Sequence, residues 1–319
     1  MTSKRPIFFQ RHQSNPILTA DDFPYSIHAV YSPAATLLPN GDTLLLVTCE
    51  DFRGFTHLTI ARSKDGISNW KIDSIPVVAS DGESLVKPTE GDYFGCKDPR
   101  ITWLKELKVW GITYVASSRI GPQISLLTTP DFKAFKQFGC IMPPHNKDAA
   151  LFPHRFKGKW VLINRPTYGN KANLWLSFSP DLRQWGDHQT IIKARRGGWW
   201  DALKIGLGPP PLETEAGWLI LYHGVKETAS GKIYRTGIAL LDKEDPRTLL
   251  HRADDWVFGP RECYERKGNC DDKVFPCGWV YTQGMLRLYY GAADTVIACA
   301  IADLDSLVNY VLQYISSFS

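Results

Sequence analysis

No stretch of this chain is apolar over the 18 or so residues that a membrane-spanning helix needs. The N-terminus, Met-Thr-Ser-Lys-Arg-Pro-Ile-Phe-Phe-Gln-Arg-His, lacks an apolar segment of signal-peptide length. A cytoplasmic protein without a membrane partner is therefore expected. Lys and Arg never gather into a basic stripe and the formal net charge is only +4, which argues against a nucleic-acid partner. There is no CxxC pair, and no His cluster accompanies Cys263, Cys270 and Cys277, so no zinc site is expected. The seven cysteines are odd in number and scattered, as reduced thiols would be. Neither G-x-x-x-x-G-K-[ST] nor a strand–GxGxxG–helix unit occurs, which excludes the common phosphate-cradling loops. G-x-S-x-G and H-E-x-x-H are absent as well. Helical periodicity is confined to the C-terminus, where Leu307, Tyr310, Val311, Tyr314 and Ile315 follow 3, 4, 7, 8 spacing. This predicts a helix over about 305–317, packed on the body of the protein or on a partner subunit of a homo-oligomer.

What the chain does have is β structure and repetition. Its 44% hydrophobic and 22% charged content are those of a globular protein with ample core. Eleven Trp and thirteen Tyr suit either sheet packing or platforms for sugar rings. Turn signals such as Asn40-Gly41, Lys157-Gly158 and Ala216-Gly217 lie beside apolar runs. Five times an apolar strand runs into an Asp-containing turn, at Asp65, Asp131, Asp181, Asp245 and Asp303. These are 66, 50, 64 and 58 residues apart. Such a period fits four short strands with loops, one propeller blade. Trp70, Trp185 and Phe135 follow three of the turns as plugs between blades. The expected fold is all-β: a five-bladed β-propeller in one domain spanning 1–319, with blades over roughly 30–305.

In each repeat the preceding strand ends in polar residues: Glu50-Asp51, Ser118-Arg119, Asn164-Arg165, Tyr222-His223 and Ala293-Asp294. Equivalent positions of successive blades surround one axis, so these should converge. A ring of Arg, Arg, His and acids is poor packing material, because unpaired buried charge is costly. It is either a set of mutually paired staples or a polar, anion-tolerant sugar site. Lys147-Asp148 and Lys204, before Ile-Gly-Leu-Gly-Pro-Pro-Pro, should point to the same place. The leading single candidate is Asp98, in Gly95-Cys-Lys-Asp-Pro-Arg100. Pro99 pushes it into an extended or turn conformation and Gly95 lets the chain bend, which makes a stiff mount for an acid.

These segments, with Lys-Asp-Ala-Ala-Leu-Phe-Pro, Asn-Arg-Pro, Tyr-His-Gly-Val, Val-Phe-Pro-Cys-Gly and Tyr-Tyr-Gly-Ala-Ala-Asp-Thr, resemble glycoside hydrolase family 130. The resemblance runs from about Asn15 to Leu307 in the family's order. It implies a five-bladed propeller and a β-mannoside phosphorylase. It also implies that Asp98 is the general acid, that Lys147, Arg165, Lys204 and His223 hold phosphate, and that Asp51 and Asp294 hold the mannosyl ring. Asp148 is grouped with the sugar-binding residues. Arg119 is placed near the phosphate or the leaving sugar. Lys97, Ser32 and Thr48 depart from the family pattern at positions where an acid, Asn and Arg are usual.

An inverting glycosidase needs an acid and a water-activating base. A phosphorylase needs the acid and a basic cradle for its anionic nucleophile. The retained Arg165, Lys204 and His223 favour inorganic phosphate as co-substrate, with no cofactor and no metal. The alternatives are a hydrolase of the same family using Glu50, Glu213 or Glu262 as base, and a non-catalytic glycan-binding propeller.

Overall fold

The computed structural model describes residues 6–169 and 171–314. Five antiparallel sheets follow one another along the chain. The first blade runs Ala29–Leu37, Thr43–Glu50, Thr56–Ser63 and Lys71–Ile72, and the second Cys96–Leu104, Val109–Ser118, Gly121–Thr129 and Lys136–Met142. The third uses Asn146–Leu151, Trp160–Tyr168, Leu174–Ser179 and Gly186–Ile192, and the fourth Lys204–Leu207, Gly217–Thr228, Gly231–Leu241 and Leu249–Arg252. The fifth combines Val274–Thr282, Met285–Ala292 and Val296–Asp303 with the N-terminal pair Gln10–Arg11 as its outermost strand. The ring is thus closed by joining its two ends in one sheet. Each blade's first strand lies innermost. The fold is a five-bladed β-propeller, as the repeat predicts.

The repeated aspartates have a local cause. Asp65 accepts the backbone N–H groups of Ile67 and Ser68, Asp131 those of Lys133 and Ala134, and Asp181 those of Arg183 and Gln184. Each carboxylate closes the turn after its blade's third strand. In the fourth blade the residue in this role is Asp242, which accepts from Glu244 and Asp245, so the sequence-based choice of Asp245 is corrected by three residues. Asp303 uses the same chemistry to cap the terminal helix through Ser306. Trp70 and Trp185 each donate the indole N–H to a carbonyl three residues back.

Five apolar cores lie between neighbouring blades. The one between blades four and five also takes up the helix Leu304–Val311, burying Leu304, Leu307 and Val311. The helix therefore packs on its own propeller. Ile315, the last residue of the predicted stripe, lies outside the described residues. The closing strand is pinned by Arg11, which makes two 2.7 Å contacts to the fully buried Glu265. Among the described residues no helix is long and apolar enough to cross a membrane.

Candidate active site

Three inner strands share one irregularity. The ladder slips between Tyr31 and Ala34, between Lys97 and Arg100, and between Lys147 and Ala150. In each slip one residue adopts a left-handed conformation: Ser32 at φ 48°, Asp98 at 54° and Asp148 at 48°. These are β-bulges at equivalent places in blades one, two and three, and non-glycine residues held there are strained. Asp98 is therefore neither in an extended conformation nor in a turn at a strand end, as its Asp-Pro sequence suggests. It sits inside the bulged strand Cys96–Leu104. Pro99 has no N–H to give the ladder, and a bulge is where a strand tolerates that.

Asp98 is half-buried and held on three sides. Its Oδ1 accepts from Ser32 Oγ at 2.6 Å, its N–H donates to Thr48 Oγ1 at 3.1 Å, and its carbonyl accepts from Arg100 Nη1 at 2.6 Å. Arg100 is fully buried and spends its other donors on the carbonyls of Leu207 and Gly208. Gly95 belongs to the same mount: its φ is +101° and a Cβ there would strike the backbone of Thr56.

The facing wall is cationic. Asp148, almost fully buried, has Arg165 Nε at 3.1 Å, His223 Nε2 at 3.6 Å and Arg100 Nη2 at 3.9 Å. The Arg165 contact is close enough for an ion pair but out of line for a hydrogen bond, and both atoms lack one. His223 Nδ1 and Asp294 Oδ1 are also buried without a hydrogen-bond partner. Four unsatisfied polar atoms in one region are uncommon in a folded protein. Gly206 makes room for them, since a Cβ there would run into the Asp148 carboxylate and the His223 ring.

The proton affinities show an excess of positive charge. Burial, then Arg165 and Lys232, push Lys204 down to about 8. Burial and the neighbouring Lys97 lower Lys147. Burial, then Arg165 and Arg100, hold His223 well below its ordinary value, so the imidazole is neutral. Burial alone would lower Lys273 too, but Asp294, with its Oδ2 2.5 Å from Lys273 Nζ, raises it instead. Lys273 also lies over the rings of Tyr234 and Phe275, and Lys204 over Tyr234. Tyr31 donates to Glu50 Oε2 at 2.9 Å, and burial, with Glu50 and Asp98 nearby, raises its phenol.

The sequence-selected residues thus fall into two sets. Asp98, Lys147, Asp148, Arg165, Lys204, His223 and Asp294 are linked by the contacts and mutual electrostatic effects above. Asp51 and Arg119 lie on the rim. Asp51 is bound at 2.6 Å by Arg53, and Arg119 donates to the Tyr93 hydroxyl at 2.7 Å. Asn164-Arg165 and Tyr222-His223 do not end their strands, because the hairpins of blades three and four continue to Tyr168 and Thr228. Of the alternative bases, Glu213 is paired with Lys105, Glu262 lies 3.9 Å from Arg261, and only Glu50 is joined to the Asp98 side. Sequence reasoning missed Tyr31, Tyr234, Phe275 and Lys273. Lys273 stands immediately before the fifth inner strand, so aligning the inner strands as well as the second strands is the signal that would have found it.

The chain is 31% identical over 313 residues to the β-1,4-mannooligosaccharide phosphorylase of Ruminococcus albus, covering 96% of this chain and 91% of that protein. It is 38% identical over 253 residues to the β-1,2-mannobiose phosphorylase of Listeria innocua, covering 77% and 67%. A solved complex of the β-1,2-mannobiose phosphorylase from Listeria innocua with β-1,2-mannobiose superposes with a TM-score of 0.84 at 28% identity, covering 95% of this chain and 99% of that one. Residues 25–313 match the glycoside hydrolase family 130 model described as β-1,4-mannooligosaccharide phosphorylase. A match over that span leaves no doubt of kinship: the chain belongs to glycoside hydrolase family 130.

Proposed function

We propose that the protein is an inverting phosphorylase of β-mannosides, with β-1,2-mannobiose and β-1,2-oligomannosides as its substrates and inorganic phosphate as co-substrate. The supporting observation is the wall around Asp148, where Arg100, Lys147, Arg165 and Lys204 stand with the neutral His223 and cations outnumber their anions. A hydrolase has no use for such a wall, whereas a phosphate dianion satisfies it with charge-assisted hydrogen bonds. Lys147 joins the phosphate from the third inner strand. Asp294, fixed by Lys273, and Asp148 offer acceptors to the mannosyl hydroxyls. Asp51 and Arg119 contact the sugar from the rim.

In this mechanism Asp98 gives its proton to the glycosidic oxygen, directly or through a mannose hydroxyl. The C1–O bond breaks and the leaving sugar departs with that proton. A phosphate oxygen attacks C1 from the opposite side, giving α-mannose 1-phosphate. Ser32 and Thr48 hold the carboxyl group and backbone of Asp98 in line, so part of the orientation cost is met before substrate arrives. Neutral His223 gives the phosphate a hydrogen-bonding partner without adding charge. The chemistry asks nothing of a metal or cofactor in this reading, and the free state of all seven cysteines supports a cytoplasmic location.

The test is turnover of a β-mannoside with and without phosphate, with products identified. Phosphate-dependent formation of α-mannose 1-phosphate is expected. Free mannose released at full rate in phosphate-free buffer would overturn the reading and point to Glu50 as base.

A further inference from the structure

The rim beside Asp98 is aromatic and exposed. Phe52 is 75% exposed, Tyr93 48% and Phe94 44%. Phe52 and Phe55 sit on the hairpin tip of blade one, between Thr43–Glu50 and Thr56–Ser63. Tyr93 and Phe94 lead through Gly95 into the strand that carries Asp98. Three of the rings form a connected ridge: Phe55 to Phe94 with centroids 6.4 Å apart, and Phe94 to Tyr93 at 4.8 Å, edge to face, while Phe52 packs instead against His28 at 5.8 Å. Arg119 fixes Tyr93 from one face, its guanidinium 4.6 Å from the ring centre and Nη2 on the hydroxyl. Between this pair and Gln123 and Cys140 lies a cleft of about 620 Å³. Three residues lie between Phe94 and Asp98, so their Cα atoms are no more than about 14 Å apart.

Exposed aromatic side chains in a connected patch mark a binding surface. This one lies on the side of the acid, where the leaving group departs, and away from the phosphate wall in blades three and four. The apolar C–H face of a pyranose packs on an aromatic face, while Arg119 offers donors to ring hydroxyls. Resting on the phosphorylase reading, we propose that this ridge binds the distal sugars of an oligosaccharide leaving group, and that the enzyme prefers β-mannosides of three or more sugars to disaccharides. The ridge takes a saccharide because it continues directly from the site that cleaves one.

The test compares kcat/KM for di-, tri- and tetrasaccharides of β-1,2- and β-1,4-linked mannose, with and without phosphate, for the wild type and for Phe94→Ala and Tyr93→Ala. Longer substrates should gain roughly two- to twelvefold per ring engaged. Each substitution should remove that gain and leave the disaccharide value unchanged. Equal kcat/KM at all lengths, or equal loss on the disaccharide, overturns the proposal. So does a change in sedimentation coefficient on substitution, which would assign the ridge to a second copy of the chain. Phosphate independence would instead overturn the phosphorylase reading, while the length dependence still reports on the ridge.

Discussion

Replacing Lys204 with Met separates binding of phosphate from support of the fold. Lys204 is half-buried, and among the described residues no carboxylate lies within ion-pair distance of it. Its lowered proton affinity means that the folded protein holds this charge at a cost. Without phosphate, Met at 204 should leave the melting temperature unchanged or raise it. With phosphate at a hundred times its Kd, linkage stabilises the wild type by about 2.7 kcal/mol. Unfolding entropy near 2.1 cal/mol/K per residue makes that about 4 °C for a chain of 319 residues. A lost charge-assisted contact costs about 1.5–3 kcal/mol, weakening phosphate by roughly 12- to 160-fold. At the same phosphate concentration the shift should shrink to between about 2 °C and less than 1 °C. Thermal scans with and without phosphate read both numbers. A variant that melts several degrees lower without phosphate, yet keeps the full phosphate shift, would refute the reasoning. Arg165→Ala is a poorer probe, because it strips the buried Asp148 of its nearest cation, and breaking such a pair typically costs about 3–5 kcal/mol.

Four further outcomes are expected. Asp98→Asn keeps the acceptor for Ser32 but cannot donate the proton, so turnover on an unactivated mannoside should fall by ~10²–10⁴ while thermal stability holds; more than a tenth of wild-type turnover would exclude Asp98 as the acid. Lys204 loses its proton as pH rises through about 8, so phosphate affinity measured by calorimetry should decline there, and Lys204→Arg should move that decline to higher pH. The same titration favours the fold: the unfolded lysine binds more protons between about 8 and its ordinary value, so stability without phosphate should rise with pH across that window, and Lys204→Met should abolish the rise. Glu265→Ala leaves Arg11 and the closing strand without their anchor, and denaturant titration should show a loss of about 3–5 kcal/mol.

The architecture was legible in the sequence. Strand periodicity and recurring turn aspartates are local signals, since an Asp that caps its own turn does so through neighbours two and three residues away. That is why five blades were legible, and why the one misplaced aspartate, Asp245 for Asp242, erred by only three residues. The cations that gather around Asp148 were legible as candidates because charged residues at recurrent inner positions of a β protein have no packing role. Which of them meet depends on the packing of the blades. Arg165, His223 and Asp148 come from two blades, and their distances follow from how those blades pack about the axis. The left-handed conformation of Asp98 also went unread: a residue before proline ordinarily avoids it, and only the ladder across the bulge and the grip of Ser32, Thr48 and Arg100 hold it there. The pairing of Asp294 with Lys273 was equally invisible, because it joins residues 21 apart in the chain that only the folded blade brings within reach.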